Sequence, residues 1–274
     1  MATDNPGVSD ETQEVLPDGR HPDDVADLDM EMTLGEHLTE LRRRLLIAVL
    51  SVLFFTVIGF IFIRPIMDLL IAPAPDNVTT LYQFSPTEGI FTFMRVAIMV
   101  GVACAMPMLI YQIGAYVLPG LTRRERRYLY MLVPTSSFAF LVGLAFCYFV
   151  VLRFALGFLL GTNSWISDQV ESFPSVSLYV NFVTRMLLAL GIVFQTPIFI
   201  YFLSAIGIVD TRKLSRWRPF VVVIVAIVAA VITPTPDPFN QALVAVPMYL
   251  LYEVGILLSR ITGPVTRRRS QSED

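Results

Sequence analysis

Residues 37–63 read HLTELRRRLLIAVLSVLFFTVIGFIFI, in which three arginines are followed at once by nineteen residues without a charge. About twenty apolar residues are needed to span the roughly 30 Å hydrocarbon core of a bilayer. Over the whole chain 55% of the 274 residues are hydrophobic and 16% are charged, whereas soluble domains contain about 25% charged residues. Long uncharged runs predict an all-α polytopic membrane protein, because a helix satisfies its own backbone hydrogen bonds in lipid.

Six apolar runs are candidates for transmembrane helices. They cover residues 45–63, 90–117, 128–152, 178–209, 219–232 and 239–258. The fourth run is longer than a bilayer requires, and Arg185 interrupts it. The fifth run gives roughly 21 Å of helix at ~1.5 Å per residue. In the sixth run, a similar length of uncharged residues comes before Glu253. We therefore expect short fifth and sixth helices, in a concave bundle curved by prolines at positions 107, 134, 197 and 247.

Lysines and arginines are distributed unequally between the two sides of the predicted bundle. The side that holds the chain termini carries arginines 42–44, 123, 124, 126, 127, 212, 216, 218, 260 and 267–269, together with Lys213. The opposite side carries Arg64 and Arg153. Because cytoplasmic loops are enriched in these residues, we expect both termini in the cytoplasm.

The first part of the chain differs in composition from the rest. Twelve of the 23 acidic residues lie in residues 1–40. We expect residues 1–32 to be a disordered acidic cytoplasmic tail, residues 33–260 to form a six-helix membrane domain, and residues 261–274 to be a cytoplasmic C-terminal tail. The first residues also lack the basic start and short apolar core of a signal peptide. Cys104 and Cys147 fall in apolar runs, which predicts buried thiols without a disulfide.

Four places have the sequence pattern of a helix start. In a capping box, a Ser or Thr and a Glu three residues later satisfy each other's free backbone N–H groups. The pattern occurs at Thr33 and Glu36, at Ser85 and Glu88, and at Thr122 and Glu125. Asp237 followed by Pro238 predicts the start of the sixth helix.

Common catalytic and metal-binding motifs are absent from the sequence. It has no G-x-x-x-x-G-K-[ST], no H-E-x-x-H and no G-x-S-x-G, and its two histidines are His21 and His37. We therefore predict a protein that is not an enzyme and that needs no metal or cofactor. The spans also lack a carboxylate at their midpoints, which disfavours a proton-coupled carrier. A small-solute transporter and a membrane scaffold without a substrate remain as alternatives to a receptor.

Few polar residues lie within the predicted spans. Gln195 is near the middle of the fourth, where an amide serves either to join helices or to bind a substrate. Arg95 and Arg185 lie near the outer ends of the second and fourth helices, from which they can extend toward the interface. Asn240 and Gln241 begin the sixth helix, where capping and hydration explain them.

Several motifs resemble the TatC family, the core membrane component of twin-arginine protein translocation. In order along residues 33–260 they are HLTELRRRLL at 37–46, FSPTE at 84–88, MP at 106–107, YQ at 111–112, RERR at 124–127, TPTPD at 233–237, NQ at 240–241 and PMY at 247–249. The resemblance implies a receptor for signal peptides with two consecutive arginines, for the export of folded proteins driven by the proton gradient. It also implies a place in the bacterial cytoplasmic (inner) membrane, with no nucleic acid bound. The implied partners are membrane lipid and single-span TatA- and TatB-like proteins, in hetero- and homo-oligomers.

The same resemblance implies the site residues. Glu40 and Glu125 match the glutamates that engage the signal's arginine pair in the family, and Arg42, Arg44 and Tyr116 are further candidates for signal-peptide binding. A guanidinium makes paired hydrogen bonds with a carboxylate that an ammonium cannot reproduce, so two carboxylates would select arginine over lysine.

Local roles remain open for both glutamates. Glu125 stands at a capping-box position beside four arginines. Glu40 can pair with Arg43 or Arg44, which lie three and four residues along a helix, in a pair worth about 0.2–0.5 kcal/mol.

Other positions of this sequence resemble important positions of the family. They are Pro73 and Glu88 in the first external loop, and Asp237 and Gln241 in the last hairpin. Gln195 stands where the family often has Glu, and an amide can form hydrogen bonds there but does not titrate. We expect the TatA- and TatB-like partners to dock on the short fifth and sixth helices.

Overall fold

A computed structural model of the protein describes residues 34–75, 80–117, 123–161, 174–205, 209–233 and 237–262. The side chains of residues 34–37, 117, 123–130, 161, 211 and 261–262 lie outside this description. The chain divides into two compact units, Met1–Arg43 and Arg44–Asp274. The described part of the first unit is the start of one helix, and the other described helices belong to the second unit.

The described residues are almost entirely helical. The helices are α1 (Leu34–Ile61), α2 (Ile63–Ile71), α3 (Glu88–Val117), α4 (Arg123–Phe146), α5 (Leu152–Gly161), α6 (Val176–Val193), α7 (Thr196–Ala205), α8 (Thr211–Arg216), α9 (Arg218–Ile232) and α10 (Pro238–Thr262), with a π-helical turn, Cys147–Val151, between α4 and α5. No β-strand occurs within these ranges, where the extended pairing is an isolated parallel bridge between Tyr82 and Ser175. The predicted all-α fold class is confirmed.

Five helical segments in the described ranges are long and apolar enough to cross a membrane. They are Leu38–Ile61, Glu88–Tyr116, Met131–Leu160, Val176–Ala205 and Pro238–Arg260. These correspond to the first, second, third, fourth and sixth predicted spans. The fifth predicted span is α9, Arg218–Ile232, which is apolar but shorter. The chain is therefore a multi-pass membrane protein.

Helix α1 carries the arginines and the apolar run in one continuous helix. It begins at Leu34, next to the predicted helix start at Thr33, and continues through the arginines into the apolar run that starts at residue 45. Its apolar side chains point outward, and Leu50, Leu53 and Phe54 are each more than half exposed. An apolar face of this kind is suited to contact with acyl chains.

A glycine brings α1 and α3 into close contact. A Cβ added at Gly101 would lie 2.1 Å from Oγ1 of Thr56 and 2.9 Å from the carbonyl oxygen of Val52. The backbone of α3 therefore rests directly on α1, a mode of packing that small residues permit between membrane helices.

The core is built around α6. Its buried side chains include Val180, Val183, Met186 and Leu190, each with no exposed surface. This helix packs against α3 on one side and α4 on another. Because other helices cover α6 along most of its length, apolar side chains of α6 pack against apolar side chains of its neighbours.

The fourth predicted span is broken next to Pro197, one of the prolines at which a bend was expected. Helix α6 passes through Arg185 without interruption, and the break falls at Phe194 and Gln195, before α7 begins at Thr196. Pro197 explains this position, because a proline has no N–H to offer the carbonyl four residues earlier and its ring clashes with that carbonyl. Arg185 therefore interrupts the apolar run of the sequence and leaves the helix continuous.

Helix α2 was not predicted. Residues 63–71 form a short amphipathic helix in which Leu70 is buried and Ile66 and Met67 pack against the core, while Arg64 and Asp68 are exposed. The apolar positions recur at helical spacing, which is the signal that a search for long spans alone overlooks.

The expectation of a short sixth helix was also wrong. Helix α10 has 25 residues and a full-length span, so α9 is the shorter of the two. The part of α10 that matches α9 ends at Glu253, whose carboxylate lies 2.7 Å from Nη2 of Arg218 at the start of α9. A charge inside the sequence of α10 therefore marks a contact with a neighbouring helix and does not mark a helix end.

Candidate functional site

The predicted arginine-binding segment is the first turns of α1. In the first unit, the side chain of Glu40 is half-buried, whereas Arg42 and Arg43 are exposed. Glu40 is thus a half-buried carboxylate in a basic stretch, with Arg43 and Arg44 three and four residues along the same helix. A bidentate ligand for a guanidinium has this chemistry.

Arg44, the first residue of the second unit, has a partner on another helix. Its Nη1 donates to Oε1 of Gln112 on α3 at a distance of 3.4 Å. Gln112 is buried, and its Nε2 contacts Sδ of Met108 one turn earlier. Tyr116 follows one turn after Gln112 and is half-buried. Arg44 thus ties α1 to α3, a structural role that we did not predict.

Glu125 can be placed only by its backbone. Helix α4 begins at Arg123, so residue 125 lies in its first turn, as the capping-box pattern predicts. The Glu125 side chain and Thr122 lie outside the described residues, as do Thr33 and the Glu36 side chain of the first predicted box.

Gln195 joins helices at the break between α6 and α7. Its Nε2 donates to the backbone carbonyl of Ser136 on α4 at 3.0 Å. Its Oε1 is buried and has no hydrogen-bond partner among the described residues. The geometry therefore favours the helix-joining role for the amide nitrogen, and the amide oxygen remains available to accept a hydrogen bond.

Asp237 and Gln241 organise the turn between α9 and α10. Oδ1 of Asp237 accepts the backbone N–H of Asn240 at 2.7 Å, which caps α10 as predicted. Its Oδ2 accepts from Nδ2 of the same asparagine at 3.0 Å. Gln241 donates from Nε2 to the carbonyl of Ala226 on α9 at 2.9 Å. Gln241 therefore joins the two helices of the hairpin, and Asp237 fixes the first turn of α10.

The other end of this hairpin is closed by an ion pair. Besides its contact with Arg218, Glu253 accepts a hydrogen bond from the hydroxyl of Tyr249 at 2.9 Å through Oε1. Polar contacts at both ends make α9 and the matching part of α10 one paired element.

Glu88 holds together segments that are far apart in sequence. Its Oε2 accepts the backbone N–H groups of Phe84 at 2.8 Å and Ser85 at 3.3 Å, the second being half of the predicted capping box. Its Oε1 accepts the hydroxyl of Ser175 and the backbone N–H of Ser177 at 2.8 Å. Beside it the Tyr82–Ser175 bridge joins the same loop to the start of α6. We call this end of the second unit the Glu88 end.

Pro73 lies at the end of α2, where tyrosines satisfy free carbonyl groups. The hydroxyl of Tyr148 donates to the carbonyl of Leu69 at 2.8 Å, and that of Tyr179 donates to the carbonyl of Leu70 at 3.2 Å. Pro73 is buried just after the helix ends, where a proline is common because it cannot continue a helix. Of the two residues that we predicted in this loop, Glu88 joins it to the start of α6 through hydrogen bonds, and Pro73 is buried at its beginning.

The sequence and the arrangement of helices both match a known family. The family model described as Sec-independent protein translocase protein (TatC) matches residues 36–247. This chain belongs to the TatC family. The TatC protein of Synechocystis sp. is 38% identical over 250 residues, covering 91% of this chain and 95% of that protein. The TatC protein of Aquifex aeolicus is 34% identical over 242 residues, covering 88% and 98% respectively.

The fold agrees with a solved structure of the family. A crystal structure described as the twin-arginine translocase receptor TatC superimposes with a TM-score of 0.74 at 34% identity, covering 83% of this chain and 99% of that one. The family is a component of a protein translocase and is not known as an enzyme. Membership also implies partners within the same translocation system.

Four predicted site residues make long-range contacts that were not foreseen. They are Arg44 with Gln112, Gln195 with Ser136, Gln241 with Ala226, and Glu88 with Ser175 and Ser177. The sequence signals for them are single polar residues inside or beside apolar runs. Such a residue indicates that a partner exists but does not tell which helix supplies it.

Proposed function

We propose that this chain is the receptor and membrane scaffold of a twin-arginine translocase, binding signal peptides with two consecutive arginines for the export of folded proteins. The observation that carries the proposal is the likeness, over 83% of the chain, to a structure described as the translocase receptor. Export in this proposal is driven by the proton gradient across the bacterial inner membrane.

Glu40 and Glu125 are the proposed ligands of the signal's arginines. Each carboxylate offers two oxygens to the two parallel N–H groups of a guanidinium, and each such bond is charge-assisted. A lysine ammonium presents one point charge and loses the paired geometry. Arg42 and Tyr116 are further proposed contacts of the signal peptide, and Arg44 supports binding by joining α1 to α3.

The proposed topology has six membrane crossings with both termini in the cytoplasm. It counts α9 as a crossing and follows from the basic residues in the loops on one side. Residues 1–32 and 261–274 are then cytoplasmic tails on either side of the membrane domain. The α9–α10 hairpin, in which α9 is the shorter helix, is the proposed docking site for the single-span TatA- and TatB-like partners.

Site-specific photocrosslinking tests the proposed site. A photoreactive residue at position 41 or 124 leaves both glutamates in place, and one at position 153, predicted to be external, serves as the control. We expect adducts with a twin-arginine signal peptide from positions 41 and 124 only, and their loss when Glu40→Gln and Glu125→Gln are combined. Adducts that persist in that double variant would overturn the assignment of the two glutamates.

A further inference from the structure

A groove near the Glu88 end contains two positive charges and no acidic group. It has a volume of about 510 Å³ and lies between α3 and α6. The α3 wall includes Phe91, Met94 and Arg95, and the α6 wall includes Asn181 and Arg185. Further lining residues are Ile98, Met99, Thr184 and Leu188. The groove is thus mainly apolar, with guanidinium groups on opposite walls.

The two arginines lie at similar depths. Arg95 comes seven residues after the start of α3 and Arg185 nine residues after the start of α6, which is about 10 Å and about 14 Å along the helices. The contacts of Glu88 with Ser175 and Ser177 hold these two helix starts together. Both charges therefore lie within the outer half of a membrane span.

Within the described part of the chain, neither arginine has an acidic partner. Nη1 of Arg95 is buried and makes no hydrogen bond there. A buried cationic N–H group without an acceptor is unfavourable, and the exposed guanidinium of Arg185 in the same groove adds repulsion between like charges. The groove is therefore suited to bind an anion with several acceptor oxygens.

We propose that this groove binds an anionic phospholipid, whose phosphate accepts hydrogen bonds from Arg95 and Arg185. Phosphate oxygens match the planar fork of a guanidinium, and acyl chains cover the apolar wall formed by Phe91, Met94 and Leu188. A lipid with two phosphates, of the cardiolipin class, neutralises both charges. A soluble anion would leave the apolar lining without a partner, which is why the occupant is a lipid.

Lipid binding to the purified full-length chain tests this site. We expect cardiolipin to be retained in preference to phosphatidylcholine in native mass spectrometry, and its affinity to fall about tenfold in Arg95→Gln and in Arg185→Gln. Arg153→Gln, which removes an exposed arginine outside the groove, is the matched control and should bind like the wild type. Thermal unfolding of each variant separates lost binding from lost folding.

Four outcomes would overturn the proposal. Unchanged cardiolipin retention in the folded Arg95→Gln, Arg185→Gln double variant would exclude the groove, and an equal loss in Arg153→Gln would show attraction by charge alone. Competition by inorganic phosphate at millimolar concentration would indicate a site for a free anion. A peptide helix with one carboxylate that displaces the lipid both from the wild type and from Arg153→Gln, in which the groove is intact, would indicate a protein occupant.

Discussion

At position 88 a single carboxylate accepts hydrogen bonds from the loop before α3 and from the start of α6. The sequence pattern predicts that this residue is part of a local capping box, and one of the two hydrogen bonds of such a box is present. The other oxygen binds Ser175 and Ser177, 87 and 89 residues away. The residue thus sets the spacing of two helices that line the arginine groove.

Replacing Glu88 tests this role. Glu88→Ala removes the acceptor of two backbone N–H groups on the loop and one on α6, so we expect a lower midpoint of thermal unfolding in detergent. Glu88→Gln keeps one carbonyl oxygen and should give an intermediate midpoint. Thr87→Ala, which alters the neighbouring exposed side chain, is the control. A midpoint for Glu88→Ala equal to that of Thr87→Ala would contradict the role.

At the scale of elements, the sequence predicts most helices because every apolar run except the fifth is long enough to cross a bilayer. Prolines also mark one break, since Pro197 follows directly on the interruption at Gln195. Helix α2 is missed because its nine residues are too few for a span, and the π-helical turn 147–151 has no apolar signature of its own. Length and hydropathy therefore predict the membrane spans better than they predict the short helices and turns between the spans.

The candidate site is predictable only in part. The local cap at Asp237 follows from the sequence because both partners lie within four residues. The acceptor of Gln195 does not, because it is a backbone carbonyl, and every residue of α4 offers the same group. Contacts between helices depend on rotation and depth, which a one-dimensional pattern does not contain.

The contact of α1 with α3 depends on the absence of a side chain at Gly101. Gly101→Ala should destabilise the protein by about 1–3 kcal/mol, because the added methyl group meets backbone atoms of α1 that can move only with the helix. Gly157→Ala is the matched control, since a Cβ there meets no atom within 4 Å and alanine is the better helix former. Thermal unfolding in detergent compares the two variants.

Equal midpoints for Gly101→Ala and Gly157→Ala would contradict close packing at this contact. A lower midpoint for Gly101→Ala that is restored by Thr56→Ala, which removes the nearest side-chain atom, would support it further.

At the scale of the whole molecule, the number of crossings depends on α9. Its 15 residues give about 22 Å of helix, less than the roughly 30 Å of a hydrocarbon core. Local thinning of the bilayer accommodates such a helix at modest cost. If α9 crosses the membrane, helix α8, which contains Lys213, and the end of α10 lie on the same side of the membrane.

Cysteine labelling in intact cells decides between six and five crossings. In a background of Cys104→Ala and Cys147→Ala, an impermeant maleimide should label Thr80→Cys from outside, and should label Lys213→Cys and Arg260→Cys only after permeabilisation. All three positions are exposed. Labelling of Arg260→Cys, but not of Lys213→Cys, in intact cells would show that α9 does not cross.

The affinity of the full-length chain for a twin-arginine signal peptide tests the proposed receptor function. We expect Glu40→Gln and Glu125→Gln each to weaken binding about tenfold. A twin-lysine peptide should bind the wild type as weakly as these variants bind the twin-arginine peptide. The control variant Glu253→Gln should bind the twin-arginine peptide normally. Wild-type affinity in the Glu40→Gln, Glu125→Gln double variant, or equal affinity for the two peptides, would contradict arginine recognition by these glutamates.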